Sequence, residues 1–127
     1  MLWELNLDYK RRNQIIFGRD EARDCERFSG LTLETLKQLF KEKFIEPDDS
    51  QNSAPTAEQM LEFMEKHPGV TAHGYAVHHS REDYRVTIEG LEYEGDVDTE
   101  LMGEFAEFAN GADSLTLNGK HLYFWFD

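Results

Sequence analysis

Asn118-Gly119 sits between Leu115-Thr116-Leu117 and the run Lys120 to Phe126. An Asn-Gly pair between apolar runs favours the two-residue type I′ hairpin, because both central positions need a positive φ that these residues accept at least cost. No other local pattern in the chain narrows the choice of fold as much. It predicts antiparallel pairing of Leu117 with Lys120, Leu115 with Leu122 and Asp113 with Phe124. One face then carries Leu115, Leu117, Leu122, Phe124 and Phe126 and is expected to be core. The other carries Ser114, Thr116, His121, Tyr123 and Trp125, a polar-aromatic face suited to a ligand or partner. The five consecutive apolar residues Leu122 to Phe126 also fit a strand covered on both sides, with the 33–45 helix or Trp3 as the cover.

Helical periods lie upstream. Leu33, Leu36, Phe40 and Phe44 form one apolar face, with Leu39 beside it, and predict a helix over 33–45. Thr32 is placed to cap it, and Pro47 stops it. Residues 46–56 have no apolar period and read as an exposed loop. Thr56 with Gln59 three residues later is a capping box for a helix over 57–67, ended by Pro68-Gly69. Residues 70–79 and 84–93 read as two strands. Their apolar parity slips at Gly90, the mark of a bulge. Asp96 or Asp98 opens a further helix over 99–109, closed by Asn110-Gly111.

The first thirty residues read differently. Trp3, Leu5, Leu7 and Tyr9 alternate with polar residues, which predicts a half-buried strand over 2–9. Lys10 to Asn13 then reads as a polar connection, Gln14 to Phe17 as a short strand, and 20–28 as a helical turn or two.

Shifted by 42 residues, 56–69 matches 98–111 at Glu58/Glu100, Met60/Met102, Glu62/Glu104, Phe63/Phe105, Glu65/Glu107 and Gly69/Gly111. Either a duplication or two similar amphipathic helices accounts for the match. Each copy precedes a hairpin, so 57–127 reads as α-β-β-α-β-β. The expectation is one α+β domain over 1–127: an antiparallel sheet of about four to six strands with about two to three helices, the repeat-like core following an N-terminal strand and helix. The 127 residues suffice for one unaided core, filled by nine Phe, five Tyr and two Trp.

Charge bounds the function. Lys plus Arg number 13 against 26 Asp plus Glu, a net of −13. Residues 1–30 are balanced, six acids to six bases, so the whole excess lies in 31–127. That argues against nucleic acid as a partner, since phosphate neutralisation needs clustered cations. No apolar run approaches a membrane span. One cysteine, Cys25, excludes an internal disulfide and a Cys-rich zinc set, and a reducing cytoplasm is the expected setting.

Glu58, Glu62 and Glu65 recur at i, i+4, i+7, and so do Glu100, Glu104 and Glu107. Each triplet is expected on one solvent-facing ridge, where like charges cost about 0.2–0.5 kcal/mol per i, i+4 pair. A solubility face accounts for such ridges, and so does a surface for a basic protein. Asp96, Asp98, Glu100, Glu104 and Glu107 match calcium-loop positions, but the glycine such a loop needs is Leu101, so a helix start is the better reading. Of His67, His73, His78, His79 and His121, a pair joined by Glu89 or Glu92 would suit a cation or a general base, although scattered surface histidines need no site. No HExxH, Walker loop, dinucleotide loop or nucleophile elbow occurs, so no metal, cofactor or catalytic residue is expected. The leading expectation is a non-enzymatic module for a basic partner, immunity-like or a nucleic-acid mimic. The alternative is a small-ligand protein or enzyme using His121, Tyr123, Trp125 and a histidine of the 73–79 stretch, joined by Arg85 and Thr87. The oligomeric state is left open.

Overall fold

The alternation of residues 2–9 does not form a strand. In the computed structural model, which describes residues 2–127, Asp8 instead opens a helix, α1 (Tyr9–Phe17). The Asp8 carboxylate accepts the Arg11 backbone N–H at 3.1 Å, and Gly18 closes the helix at φ 72°. Leu7 is exposed, so no sheet neighbour rewards a period of two here. The expected connection over 10–13 and strand over 14–17 both lie inside α1. Its Arg12 is fully buried. It donates to the Val77 carbonyl at 2.6 Å and to Asn13 Oδ1, and it lies 4.7 Å over the Tyr84 ring.

The stretch read as a helical turn extends instead into β1 (Cys25–Leu31). Then follow α2 (Leu33–Lys41), α3 (Ala57–Lys66), β2 (Thr71–Val77), β3 (Val86–Glu94), α4 (Thr99–Phe108), β4 (Ser114–Leu117) and β5 (His121–Trp125). From α3 onward the order is α-β-β-α-β-β. The described residues form four helices, α1 being the addition.

The caps are those the sequence names. Thr32 accepts from Thr35 N–H, Thr56 and Gln59 close a full capping box, and Asp98 accepts from Leu101 N–H at 2.7 Å. Helix α2 is shorter than expected, because the chain turns through Lys43 at φ 64°, yet Phe44 and Ile45 still bury their side chains. The 46–56 loop is exposed over much of its length but tied down. Ala54 is buried, Gln51 lies 3.4 Å from Tyr75 Oη, and Asn52 reaches the Asp127 carbonyl.

All five strands form one antiparallel sheet in the order β1-β2-β3-β5-β4. The two hairpins β2-β3 and β4-β5 meet through their second strands. The last hairpin pairs Leu117 with Leu122 and Leu115 with Phe124, each two residues from the expected partner. The reason is the turn. Asn118 N–H bonds the His121 carbonyl at 3.1 Å while its side chain accepts from Lys120 N–H, so Gly119-Lys120 become the central pair. A shift of two preserves parity, and the face assignments survive it. Leu122, Phe124 and Phe126 are buried, although Leu115 stays exposed.

One apolar core takes residues from every helix. Ile15, Ile16 and Phe17 come from α1, Leu36 and Leu39 from α2, Met60, Phe63 and Met64 from α3, and Phe105 from α4. The helices therefore share one side of the sheet, α2 included, and the other side carries no helix. Among the described residues no helix is long and apolar enough to cross a membrane.

Candidate functional site

The helix-free face is organised by the bulge at Gly90. His73 opposes Gly90 and Gly74 opposes Ile88, so Glu89 is the extra residue on β3. The bulge interrupts the β3–β5 ladder beyond Glu92 and Tyr123, and the Phe126 N–H regains it at the Glu89 carbonyl, 2.9 Å. The Phe124 carbonyl lies inside the gap. His73 fills it, its Nε2 lying 2.9 Å from the Phe124 oxygen across Gly90. A Cβ on Gly90 would stand 1.9 Å from that oxygen and 2.7 Å from the His73 ring. Only glycine leaves room for this bond. Since a carbonyl only accepts, Nε2 carries the proton and Nδ1 is the lone pair. Burial pushes the His73 pKa down, partly offset by the Phe124 bond and by Glu89 and Glu92.

The carboxylate of Glu89 is buried on this same face. It pairs with the Arg27 guanidinium and accepts from Trp125 Nε1 at 3.1 Å. Trp125 is thus an anchor of this network rather than a free recognition surface. Tyr123 stacks on His73 with centroids 4.8 Å apart and planes 10° apart. Burial and the nearby carboxylates of Glu92 and Glu89 raise the Tyr123 pKa. His121 Nε2 lies 2.6 Å from Glu92, its diagonal neighbour across β3–β5. Arg27, Ser29, His73, Glu92 and Tyr123 help line a depression of about 290 Å³. His121, Tyr123 and Trp125 are all half-buried.

Arg85 and Thr87 do not join that depression. Thr87 is buried, and Arg85 donates to its hydroxyl at 3.0 Å and to Tyr75 Oη at 2.7 Å. These side chains brace the far end of the face. The sequence offers His73 and Glu89 as candidates for one site but does not bring in Arg27, since the three come from three strands whose order no single strand sets. The bulge signal at Gly90 was the available clue.

On the helix side, α3 and α4 lie together, with Phe63 packed on Phe105 and Phe108 at centroid distances of 5.9 and 4.6 Å. Glu58, Glu62, Glu65, Glu100 and Glu107 are exposed. Glu104 departs from the expected ridge. It turns into the interhelical groove, 3.3 Å from Lys66 Nζ and 2.7 Å from His67 Nε2. Lys66 therefore relieves the second helix rather than only its own. Glu65 meets Lys37 at 3.4 Å. Among the described residues, Glu58, Glu62, Glu100 and Glu107 have no cation within 4.0 Å. The groove holds about 450 Å³, with Phe63 and Phe108 among its walls and Gln59, Lys66, Glu104 and Glu107 along it.

No protein-family model, curated protein or solved structure matches the chain.

Proposed function

We propose that the protein is a non-enzymatic binding module that engages a basic partner protein through the α3–α4 face, in an inhibitor- or immunity-like role or as a nucleic-acid mimic. The observation that carries this reading is the groove between the helices. Aromatic side chains line it, Glu107 stands beside it, and the unpaired carboxylates of Glu58, Glu62 and Glu100 lie on the same two helices. A Lys or Arg side chain suits such a place, with its methylene stem on Phe63 and Phe108 and its charge at the carboxylates. The surrounding negative field would speed encounter with a basic surface and reject acidic ones. Exposed Cys25 and the absence of any need for a disulfide fit a reducing cytoplasm as the setting.

The test is calorimetric titration against basic proteins recovered by affinity capture, repeated across salt. Affinity is expected to fall as salt rises, and the combined Glu58→Gln, Glu62→Gln, Glu100→Gln, Glu107→Gln variant is expected to bind more weakly while keeping its fold. Salt-independent affinity, or unchanged binding by the variant, would overturn the reading.

A second reading, a small-ligand or enzymatic site on the opposite face, is favoured by one observation: Tyr123 and His121 are not packed under a helix, and Tyr123 borders the 290 Å³ depression. Ligand screening by NMR, with perturbations confined to Tyr123, His73 and Arg27, would support it.

A further inference from the structure

We propose that Glu92, Glu94 and His121 form a binding site for a first-row divalent cation of the Zn²⁺ type, at one corner of the helix-free sheet face. The site stands independently of the acidic helix face, from which the sheet separates it. Strand register builds it. Glu94 lies directly opposite His121, and Glu92, two residues back on β3, points to the same face. One ligand atom from each residue lies within 4.8 Å of the others, and His121 Nε2 is already 2.6 Å from Glu92. A tetrahedral Zn²⁺ with bonds of about 2.0–2.1 Å holds its ligands about 3.3 Å apart. The donors reach that spacing if Glu92 retreats slightly and the exposed Glu94 side chain swings inward. Among the described residues no Lys or Arg lies within 4.0 Å of the Glu92 or Glu94 carboxylate, so no fixed side-chain cation stands where a metal ion would sit. An imidazole in the set favours Zn²⁺, Co²⁺ or Ni²⁺ over Ca²⁺ or Mg²⁺. Three protein ligands leave a fourth position for water or a ligand donor. Glu92 also lines the depression beside Tyr123 and His73, so that position borders the depression.

A second cluster, Glu21, His78 and His79, meets the same distance limit but has the poorer geometry. Tyr9 stacks on His79 at 3.6 Å, and the His78 ring is tilted 33° against His79 at 4.1 Å. The Ser80 N–H also takes the Nδ1 lone pair of His78, at 3.1 Å. It therefore serves as the control.

The experiment is calorimetric titration of the full chain with Zn²⁺ and, separately, with Ca²⁺. One Zn²⁺ per chain and no Ca²⁺ binding are expected. His121→Ala and Glu94→Gln should each weaken Zn²⁺ at least tenfold, about 1.4 kcal/mol. The His78→Ala/His79→Ala variant should stay within twofold of the parent. Amide spectra confirm the fold of each variant, and either of the two site variants suffices if the other fails to fold. Absence of Zn²⁺ binding, equal Ca²⁺ binding, or loss confined to the His78/His79 variant would overturn the proposal.

Discussion

The two faces of the sheet are held by different physics. Against the helices, the large fully buried side chains are apolar, Leu36, Leu39, Met60, Met64, Phe105, Leu122 and Phe124 among them, with Arg12 of α1 the exception, held by the Val77 carbonyl and Asn13. Their attraction is non-directional and scales with area removed from water. On the opposite face the buried residues include His73, Thr87 and Glu89, and each is held by a hydrogen bond to a specified atom. Directional bonds fix positions but tolerate no loss of a partner, because a buried polar group left alone costs about 1–3 kcal/mol. A sheet with one face of each kind can carry chemistry on the second without drawing on the first for stability.

The largest expected effect probes the helix side. Phe105 is fully buried and packs on Phe63 and Phe124. Phe105→Ala should cost about 3–5 kcal/mol in urea unfolding. Tyr123→Ala, which removes a half-buried ring from the other face, should cost less than half of that. Equal losses would erase the contrast between the faces. Gly90→Ala comes next. Its Cβ would meet the Phe124 carbonyl oxygen at 1.9 Å, so the strands must part or the His73 bond must break. About 3 kcal/mol is expected, near the upper end for overpacking. Hydrogen exchange should show the Phe126 amide losing protection. A variant as stable as the parent would show that the bulge does not pin the polar network.

What was legible in the sequence follows the same division. Helix caps, apolar periods and the parity of the last hairpin are local, and Thr32, Thr56, Asp98 and Gly90 each marked what they do in the structure. The hairpin register departs from the Asn-Gly expectation because the Asn118 side chain accepts from Lys120 N–H, which moves the turn by one residue. Residues 2–9 form no strand because alternation alone does not supply a neighbouring strand, and the Asp8 cap with Gly18 sets a helix from Tyr9 onward. The network of Arg27, His73 and Glu89 is legible only in part: His73 and Glu89 stand among the candidates, but nothing in the sequence joins Arg27 to them. It needs β1 beside β2 beside β3, and strand order is not written in any one strand. Glu104 was misplaced for a related reason: spacing along α4 puts it on a ridge, but only the neighbouring α3 shows that the ridge faces Lys66 and His67.

The smallest effect is the one that separates the faces by pH. His73 is pushed below its ordinary pKa of 6.5 chiefly by burial. The folded state therefore binds its proton less readily than the unfolded chain does. Stability contributed by neutral His73 is complete above pH 6.5 and is lost as pH falls through the lower folded value. One such group changes stability by at most about 1.4 kcal/mol per pH unit. His73→Gln keeps an N–H donor for the Phe124 carbonyl but cannot titrate. In urea melts between pH 6.5 and the carboxylate range, the parent should weaken with acid and the variant should weaken less. At neutral pH the two should differ little. The helix side holds His67 against Glu104, so His67→Gln tests whether the slope belongs to the sheet face. If that variant flattens the curve and His73→Gln does not, the proton-sensitive element lies between the helices, and the assignment of directional bonding to the open face fails.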